Sequence, residues 1–565
     1  MSWKDIFRIK REYPPILPGM RDWPVVQLSQ NRKEFIEEVI EDSYKRIKEL
    51  NPSRAQLVEE LEVTMYRERL RAKRNPWRVD PKDDLSFWDE VRSRMANRQA
   101  NDDQEDTSLE DEILREVLSR YANEIAGSFK PSSYRLARRV VTVGLTRLLN
   151  AFNVKGFGAI FSNQLRLRDK LEIHGEIDQL RKLAKLGTIV MVPTHFSNLD
   201  SVLIGWVIHY LGLPPFIYGA GLNLFNIKIF AYFMNSLGAY KVDRRKKNLL
   251  YLECLKTYST LAIQKGCHSL FFPGGTRSRS GAIEDRLKLG LLSTTIEAQR
   301  LAYQKAKDGE PATKVFVVPV TINYHFTLEA PTLIREYLKV KGQERFYVEN
   351  DEFSTSYKII KFLIKFISKG SGLSVSIGRG MDLFGNYVDD EGNSISPKGN
   401  VIDTRDYFIS NNQITHDPQR ENEYTRRLAK VIVEEYHKIN RVLSSHLVSF
   451  VAFEMLRKKF RKLDLFNLMR IPEEDQVIDY EEFRDTCDRL LSTLKVMQRE
   501  GKVNLAPHLY EPVDDVIKHG LKNVGMYHVK RPLVKTRSKD ITTQDMTVLY
   551  YYRNRLDGYG LEKSI

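Results

Sequence analysis

The sequence predicts an α/β fold with helical regions on both sides, on three observations. Residues 31–75 place apolar side chains at helical spacing among many charges. From about residue 165, short β-branched runs alternate with helical segments, and beyond residue 415 helical spacing returns. Strands separated by helices argue for a sheet covered by helices. At 565 residues the chain is too long for one hydrophobic core. The expected division is a helical N-terminal domain over 1–150, an α/β domain over 151–415 and a mainly helical region over 416–565.

Each element follows from its local pattern. "ANRQANDDQEDTSLEDE" (96–112) is polar and acidic and reads as a linker or exposed turn; "EILREVLSRYANEIAG" and "YRLARRVVTVGLTRLLNAF" after it read as two amphipathic helices. "GTIVMVP", "PPFIYGAG", "GAYKV", "HSLFFPGG", "KVFVVPVTINY" and "LSVSIGRGM" are the expected strands, and the polar "GNYVDDEGNSISPKGN" follows them. In "LVSFVAFEMLRKKFRK" an apolar half runs into the basic stretch 457–462. Such a helix lies on a membrane surface or is a core helix with a solvated basic end.

Composition narrows the classes. Hydrophobic residues at 42% suffice for a folded core, which argues against disorder. An excess of 89 Lys+Arg over 74 Asp+Glu, net +15, suits an anionic partner or only a solvated surface. No nucleic-acid-binding motif accompanies that charge, so no nucleic-acid partner is expected. Cys254, Cys267 and Cys487 form no C-x-x-C spacing, so neither a disulfide framework nor a metal site is indicated, and a reducing cytosol fits. "MSWKDIFRIKREYPP" lacks the apolar core of a secretory signal. The longest apolar stretch, Leu199 to Leu213, is broken by Asp200 and His209 and is short of the roughly 20 residues a membrane span needs.

Four stretches carry candidate chemistry. In "THFSNLD", His195 and Asp200 would stand about 140° apart on one straight helix, so they meet only if His195 precedes the helix. Pro193 ends the strand before it, and Ser197 or Asn198 can N-cap a helix running to about Leu211, with Asp200 in its first turn. The carboxylate then holds one ring nitrogen and leaves the other free to take a proton from an alcohol. Taken alone, the pair also reads as two polar residues beside a core, since about half of one such spacing is expected by chance.

"LGAYKVDRRKK" leads a strand into Arg244 and three further cations. "LFFPGGTRSRSGAIEDRLKLG" leads a strand into the turn at Gly274 and Gly275, then Arg277 and Arg279, with Lys288 beyond. Residues two apart on extended chain face one way, so both guanidiniums can grip one phosphate, with the glycine-turn amides and the hydroxyls of Thr276 and Ser278 alongside. Neither a Walker loop nor G-x-G-x-x-G is present, which disfavours nucleotide hydrolysis. In "VFVVPVTINYHF" Pro319 marks a strand end or bend.

In this order, "THFSNLD", "GAYKVDR", "FPGGTRSRSG" and "VVPVTI" resemble the four signature blocks of the glycerolipid acyltransferases, the H-x4-D family. "AGLNLFN" and "LKLG" fall where that family has similar segments. "INRVLSSHLVSFVAFEML" (439–456) and "LYYYRNR" (549–555) look like its glycerol-3-phosphate acyltransferase branch. One departure is clear: the family usually has Glu where this chain has Gly274.

The resemblance implies a mixed sheet flanked by helices. It implies transfer of a fatty acyl group from acyl-CoA or acyl-carrier protein to the 1-hydroxyl of sn-glycerol 3-phosphate, without a cofactor. His195 would be the base, Asp200 its orienting acid, and Arg244, Arg277, Arg279 and Lys288 the phosphate cradle. Related acceptors, lysophosphatidate or dihydroxyacetone phosphate, and a non-catalytic lipid- or carrier-binding role stay open. An amphiphilic product implies an anionic membrane surface on the cytoplasmic side, met without a span.

Overall fold

The computed structural model describes residues 13–99, 108–136, 171–222, 234, 238–306, 311–341 and 373–565. Helices α1 (Pro24–Gln30), α2 (Arg32–Leu50), α3 (Arg54–Arg74), α4 (Asp84–Gln99) and α5 (Ser108–Ile125) come first. α3 starts at a capping box in which Ser53 and Gln56 satisfy each other's amides. Of the acidic stretch expected as a linker or turn, 96–99 belong to α4 and 108–112 to α5, so both its ends are helical; residues 100–107, most of the second helix expected after it and the 150/151 boundary lie outside the described residues.

The central part runs β1 (Leu171–Gly175), α6 (Ile177–Leu186), β2 (Gly187–Pro193), α7 (Asp200–Tyr210), β3 (Ile217–Gly221), β4 (Ala239–Val242), α8 (Leu249–Gln264), β5 (Ser269–Leu270), α9 (Leu289–Lys305), β6 (Lys314–Tyr324), α10 (Ala330–Val340) and β7 (Leu373–Ile377). The strands form one seven-stranded mixed sheet in the order β1-β7-β6-β2-β5-β3-β4. β6, β2, β5, β3 and β4 are parallel to one another; β7 opposes β6 and pairs parallel with β1. The C-terminal part contributes α11 (Pro418–Ile439), α12 (Ser444–Lys459), α13 (Tyr480–Arg499), α14 (Val513–Asn523) and α15 (Met546–Arg553).

Alternation along β2 decides what covers the sheet. Ile189 and Met191 face one core with Leu180 of α6 and Ile204 of α7, while Val190 and Val192 face another with Ile296 of α9 and Ile432 of α11. Covered on both faces, β2 and β6 are buried almost end to end, which is why they read as continuous apolar runs. The N-terminal helices share a third core with α8: Val39, Leu118 and Tyr121 meet Cys254 and Tyr258. The C-terminal helices share a fourth with α10.

Two local expectations are corrected and a third is decided between its two readings. Pro319 does not end its strand, because β6 continues through it to Tyr324. β7 stops at Ile377 and the next bridge is Met381 to Val317, so no neighbour on that side needs an amide from residue 319, while the Pro319 carbonyl still accepts from Gly378 N–H. Neither Ser197 nor Asn198 N-caps α7; the cap position is Leu199, and the Asp200 carboxylate takes the amides of Phe196 and Ser197 instead.

The third concerns α12, whose residues Ser444–Glu454 are buried among the C-terminal helices, so its apolar half is core. Its basic end is exposed, with Lys458 and Lys459 donating to the backbone carbonyls of Ile565 and Asp475. Among the described residues no helix is long and apolar enough to cross a membrane.

Candidate active site

Parallel strands deliver their loops to one edge of a sheet, and four loops at the carboxyl ends of β2, β4, β5 and β6 hold nearly all the candidate residues. The loop after β2 carries His195, that after β4 Arg244, and that after β5 the run Gly274–Lys288. The loop after β6 adds a residue that no motif announced, Glu329.

His195 and Asp200 meet as the spacing suggests: His195 Nδ1 lies 2.8 Å from Asp200 Oδ2. The same oxygen accepts the amides of Phe196 at 2.6 Å and Ser197 at 2.9 Å, and Oδ1 accepts the Tyr324 hydroxyl. This carboxylate acts as hub for the whole turn, which explains its complete burial. The Asp200 side chain is 0% exposed and that of His195 16%, so the acid is sealed while the imidazole reaches a cavity. With Nδ1 facing a carboxylate, Nε2 is left as the acceptor.

The ring is held from behind by Phe272, stacked at 4.1 Å with the planes 23° apart. Its peptide is clamped by the loop after β5: Ser278 N–H donates to the His195 carbonyl at 2.7 Å, and His195 N–H donates to Glu284 Oε1 at 2.8 Å.

A cavity of about 490 Å³ opens beside the imidazole, lined by His195, Arg244, Lys256, Gly275, Thr276, Arg277, Arg279 and Lys288, with Tyr218, Ala220, Leu255 and Phe271 among its apolar walls. Glu329 ties the loops together, accepting from Asn198 N–H at 3.0 Å and the Ser197 hydroxyl at 3.1 Å and pairing with Arg277 Nη1 at 3.2 Å. Arg279 pairs with Glu336 of α10 at 3.4 Å. Each arginine thus has its own carboxylate while still lining the cavity.

Three motif residues stand elsewhere; Gly274 does not line the cavity and lies against Glu284. The Ser278 hydroxyl does not line the cavity but donates to the Ala282 carbonyl within its own loop, and Pro319 lies within β6. Gly275 is needed for its left-handed backbone, φ 77°, in the turn closed by its N–H to the Phe272 carbonyl.

The four-cation run is sorted by the N-terminal helices. Arg245 pairs with Asp80 and Asp243 and stacks on Trp77; buried Lys246 pairs with Glu124 and Glu68. Both are structural, Lys247 is exposed outside the cavity, and Arg244 is the member that lines it. Among the described residues Arg244 forms no ion pair. Crowding by protein and the like charge of Arg277 depress its pKa. Arg244, Arg277, Arg279, Lys256 and Lys288 against the carboxylates of Glu329 and Glu336 leave a positive excess that suits an anion.

Reading the motifs alone missed Glu329, Tyr324, Phe272, Lys256, Glu284 and Arg555. Only Glu329 left a trace, since Pro331 marks a helix start and puts Glu329 at its cap. Arg555, in the segment after α15, is buried, donates to the Ile322 carbonyl and lies 3.5 Å over the Phe196 ring; burial pulls its pKa down to about 10.

The cysteines do not enter the cavity, and burial pushes the thiols of Cys254 and Cys267 up to about 12, which disfavours them as nucleophiles. His325, His508 and His519 bring ring nitrogens within 4.8 Å of one another, outside the cavity. Ser444 N–H donates to His508 Nε2, which puts the proton of that neutral ring on Nδ1 and leaves it no free lone pair for a metal.

Residues 174–323 match the family model described as Acyltransferase. The chain is similar to proteins named glycerol-3-phosphate acyltransferase from three bacteria. It is 29% identical over 243 residues to that of Actinobacillus pleuropneumoniae, covering 43% of this chain and 25% of the relative. It is 28% identical over 245 residues to that of Glaesserella parasuis, covering 43% and 26%. It is 28% identical over 216 residues to that of Haemophilus ducreyi, covering 38% and 23%. The match spans about a quarter of the length of these relatives.

Proposed function

We propose, on the match of residues 174–323 to an acyltransferase family model, that the protein moves a fatty acyl group from acyl-CoA or acyl-carrier protein to the 1-hydroxyl of sn-glycerol 3-phosphate, giving lysophosphatidate. The observation that carries this reading is the shared cavity: a carboxylate-oriented imidazole on one wall, and Arg244 without an ion pair among the described residues opposite Arg277 on another. A phosphate fits the positive wall, and its place there presents the neighbouring hydroxyl to His195.

In the reaction His195 Nε2 takes the hydroxyl proton as the oxygen attacks the thioester carbonyl, and Asp200 stabilises the imidazolium. The tetrahedral intermediate expels the thiolate, which recovers the proton from His195, so no acyl-enzyme is required. Arg244, Arg277, Arg279 and Lys288 hold the phosphate and gain rate by orientation. Motif-loop amides are the available donors to the oxyanion. An apolar wall beside the imidazole suits the donor's acyl chain. The amphiphilic product and the +15 charge support work at the cytoplasmic face of an anionic membrane, bound peripherally.

The deciding experiment is a panel of acceptors (glycerol 3-phosphate, dihydroxyacetone phosphate, lysophosphatidate) against both donors, run beside His195→Ala. Turnover of glycerol 3-phosphate that His195→Ala abolishes without unfolding supports the reading. Preference for another acceptor reassigns the substrate. Binding without turnover makes this a lipid- or carrier-binding protein.

A further inference from the structure

Glu284 sits ten residues beyond Gly274, yet the two touch. A Cβ built on Gly274 would lie 2.9 Å from Glu284 Cγ, closer than real Cβ contacts come, and 3.1 Å from Oε1, so the Glu284 side chain would have to move. Gly274 does not have the left-handed φ found at Gly275, so its backbone does not demand glycine. What demands it is room, and the occupant of that room is the Glu284 side chain. Gly274 is also the position where the resembling motif carries a carboxylate of its own.

The rest of Glu284 is arranged as a support for the proposed base. Oε1 accepts the His195 N–H at 2.8 Å, directly on the peptide whose carbonyl Ser278 holds from the other side. Oε2 is buried and has no hydrogen-bond partner among the described residues. Burial pushes the carboxyl up to about 7, against the pull of the His195 amide and of buried Arg555. A buried carboxyl is costly to keep, and a leucine would fill the same space at no such cost.

We propose that Glu284 is a positioning residue for the transfer: reaching into the space left by Gly274, it supplies from a new place in the chain the carboxylate that locks His195 against the arginine loop. The pair works as a small residue and a long one that exchange roles, with Gly274 making the gap and Glu284 filling it. This rests on the reading of His195 as base. Its consequence is confined to the reacting geometry, because Glu284 does not line the cavity where the phosphate would sit.

The test is a set of purified variants assayed with glycerol 3-phosphate and acyl-CoA, with thermal unfolding in parallel. Glu284→Gln keeps an acceptor for the His195 amide and should hold kcat within about 5-fold. Glu284→Ala removes the acceptor and should lower kcat about 100-fold while the acceptor KM changes less than about 3-fold. Gly274→Glu alone collides with Glu284 and should also be impaired. The double variant Gly274→Glu/Glu284→Ala should recover at least 10-fold of the lost kcat, which general damage to the loop would not allow. Wild-type kcat in Glu284→Ala, or a folded double variant no better than Glu284→Ala, overturns the proposal. His195→Ala separates the two readings: turnover retained there removes the base assignment, whereas loss there with normal Glu284→Ala removes only the role of Glu284.

Discussion

Asp200→Asn isolates the charge of the orienting acid. Asp200 Oδ2 accepts from His195 Nδ1–H and from two amides, and Oδ1 accepts the Tyr324 hydroxyl. The amide oxygen of Asn can take the first three, and its NH2 can donate to the Tyr324 oxygen, which accepts as readily as it donates. The turn should therefore persist, with unfolding free energy lowered by about 1–2 kcal/mol. What disappears is attraction between the carboxylate and the imidazolium formed during transfer. With Nδ1 and Oδ2 at 2.8 Å and charge centres about 4 Å apart, that attraction is about 4 kcal/mol at an effective dielectric of 20. Dividing by about 1.4 kcal/mol per factor of ten predicts a fall in kcat of about 10³, with the acceptor KM nearly unchanged. Initial rates across acceptor concentration, with a melting curve to confirm the fold, measure both. A folded Asp200→Asn within 10-fold of wild-type kcat would refute the account of His195 as a base stabilised by this carboxylate.

Arg244→Ala should raise the KM for glycerol 3-phosphate about 10–100-fold, the worth of one charge-assisted contact, and should not lower the melting temperature, because it removes a like charge beside Arg277; an unchanged KM takes Arg244 out of the cradle. Gly281→Ala places a Cβ 2.2 Å from the Tyr551 carbonyl at φ 84°, where the arginine loop meets α15. It should cost about 3 kcal/mol or more by chemical unfolding and loosen the site with it, and a near-neutral variant would show that this contact is slack. Acid should destabilise the protein. Buried His268 and His528 are held down to about 4 and about 3, so below the unfolded value near 6.5 only the unfolded chain takes up their protons. Each then costs about 2 kcal/mol between pH 7 and pH 5, and buried His325 and His446 act in the same direction. Glu284, raised to about 7, opposes them by gaining stability as pH falls, and burial raises Glu68, Asp382 and Glu454 in the same sense, but the histidines held down also include His174, His437, His508 and His519, so eight groups stand against four. A melting temperature at pH 5 equal to or above that at pH 7 would contradict this sum.

The strands of the sheet and the helices of both flanks were legible because burial on two faces leaves continuous apolar runs and burial on one side leaves helical spacing. The meeting of His195 with Asp200 was legible too, since Pro193 stops the strand and five residues suffice to turn back. The N-terminus of α7 was not legible: Ser197 and Asn198 are good caps by type, but Asp200 competes for the same amides and a charged acceptor wins. Nor was the course of β6, because whether a strand tolerates proline depends on a neighbour, and here that neighbour has already left the sheet. Helix α12 looked equally suited to a lipid surface and to a core, and only the helices packed around it decided between them.

By itself the sequence determined the kinds of chemistry present and their order: a His–Asp turn, an arginine after a strand, a glycine turn with two more arginines. These are local patterns, set by residue type and a few bonds of chain. Tertiary structure alone decided which of four adjacent cations lines the cavity, because Asp80 and Glu124, more than a hundred residues away, neutralise two of them. It alone placed the Glu284 side chain against Gly274 and under the His195 amide. Ion pairing and packing act through space, and nothing in the spacing of residues along the chain records which distant side chain will fill a given gap.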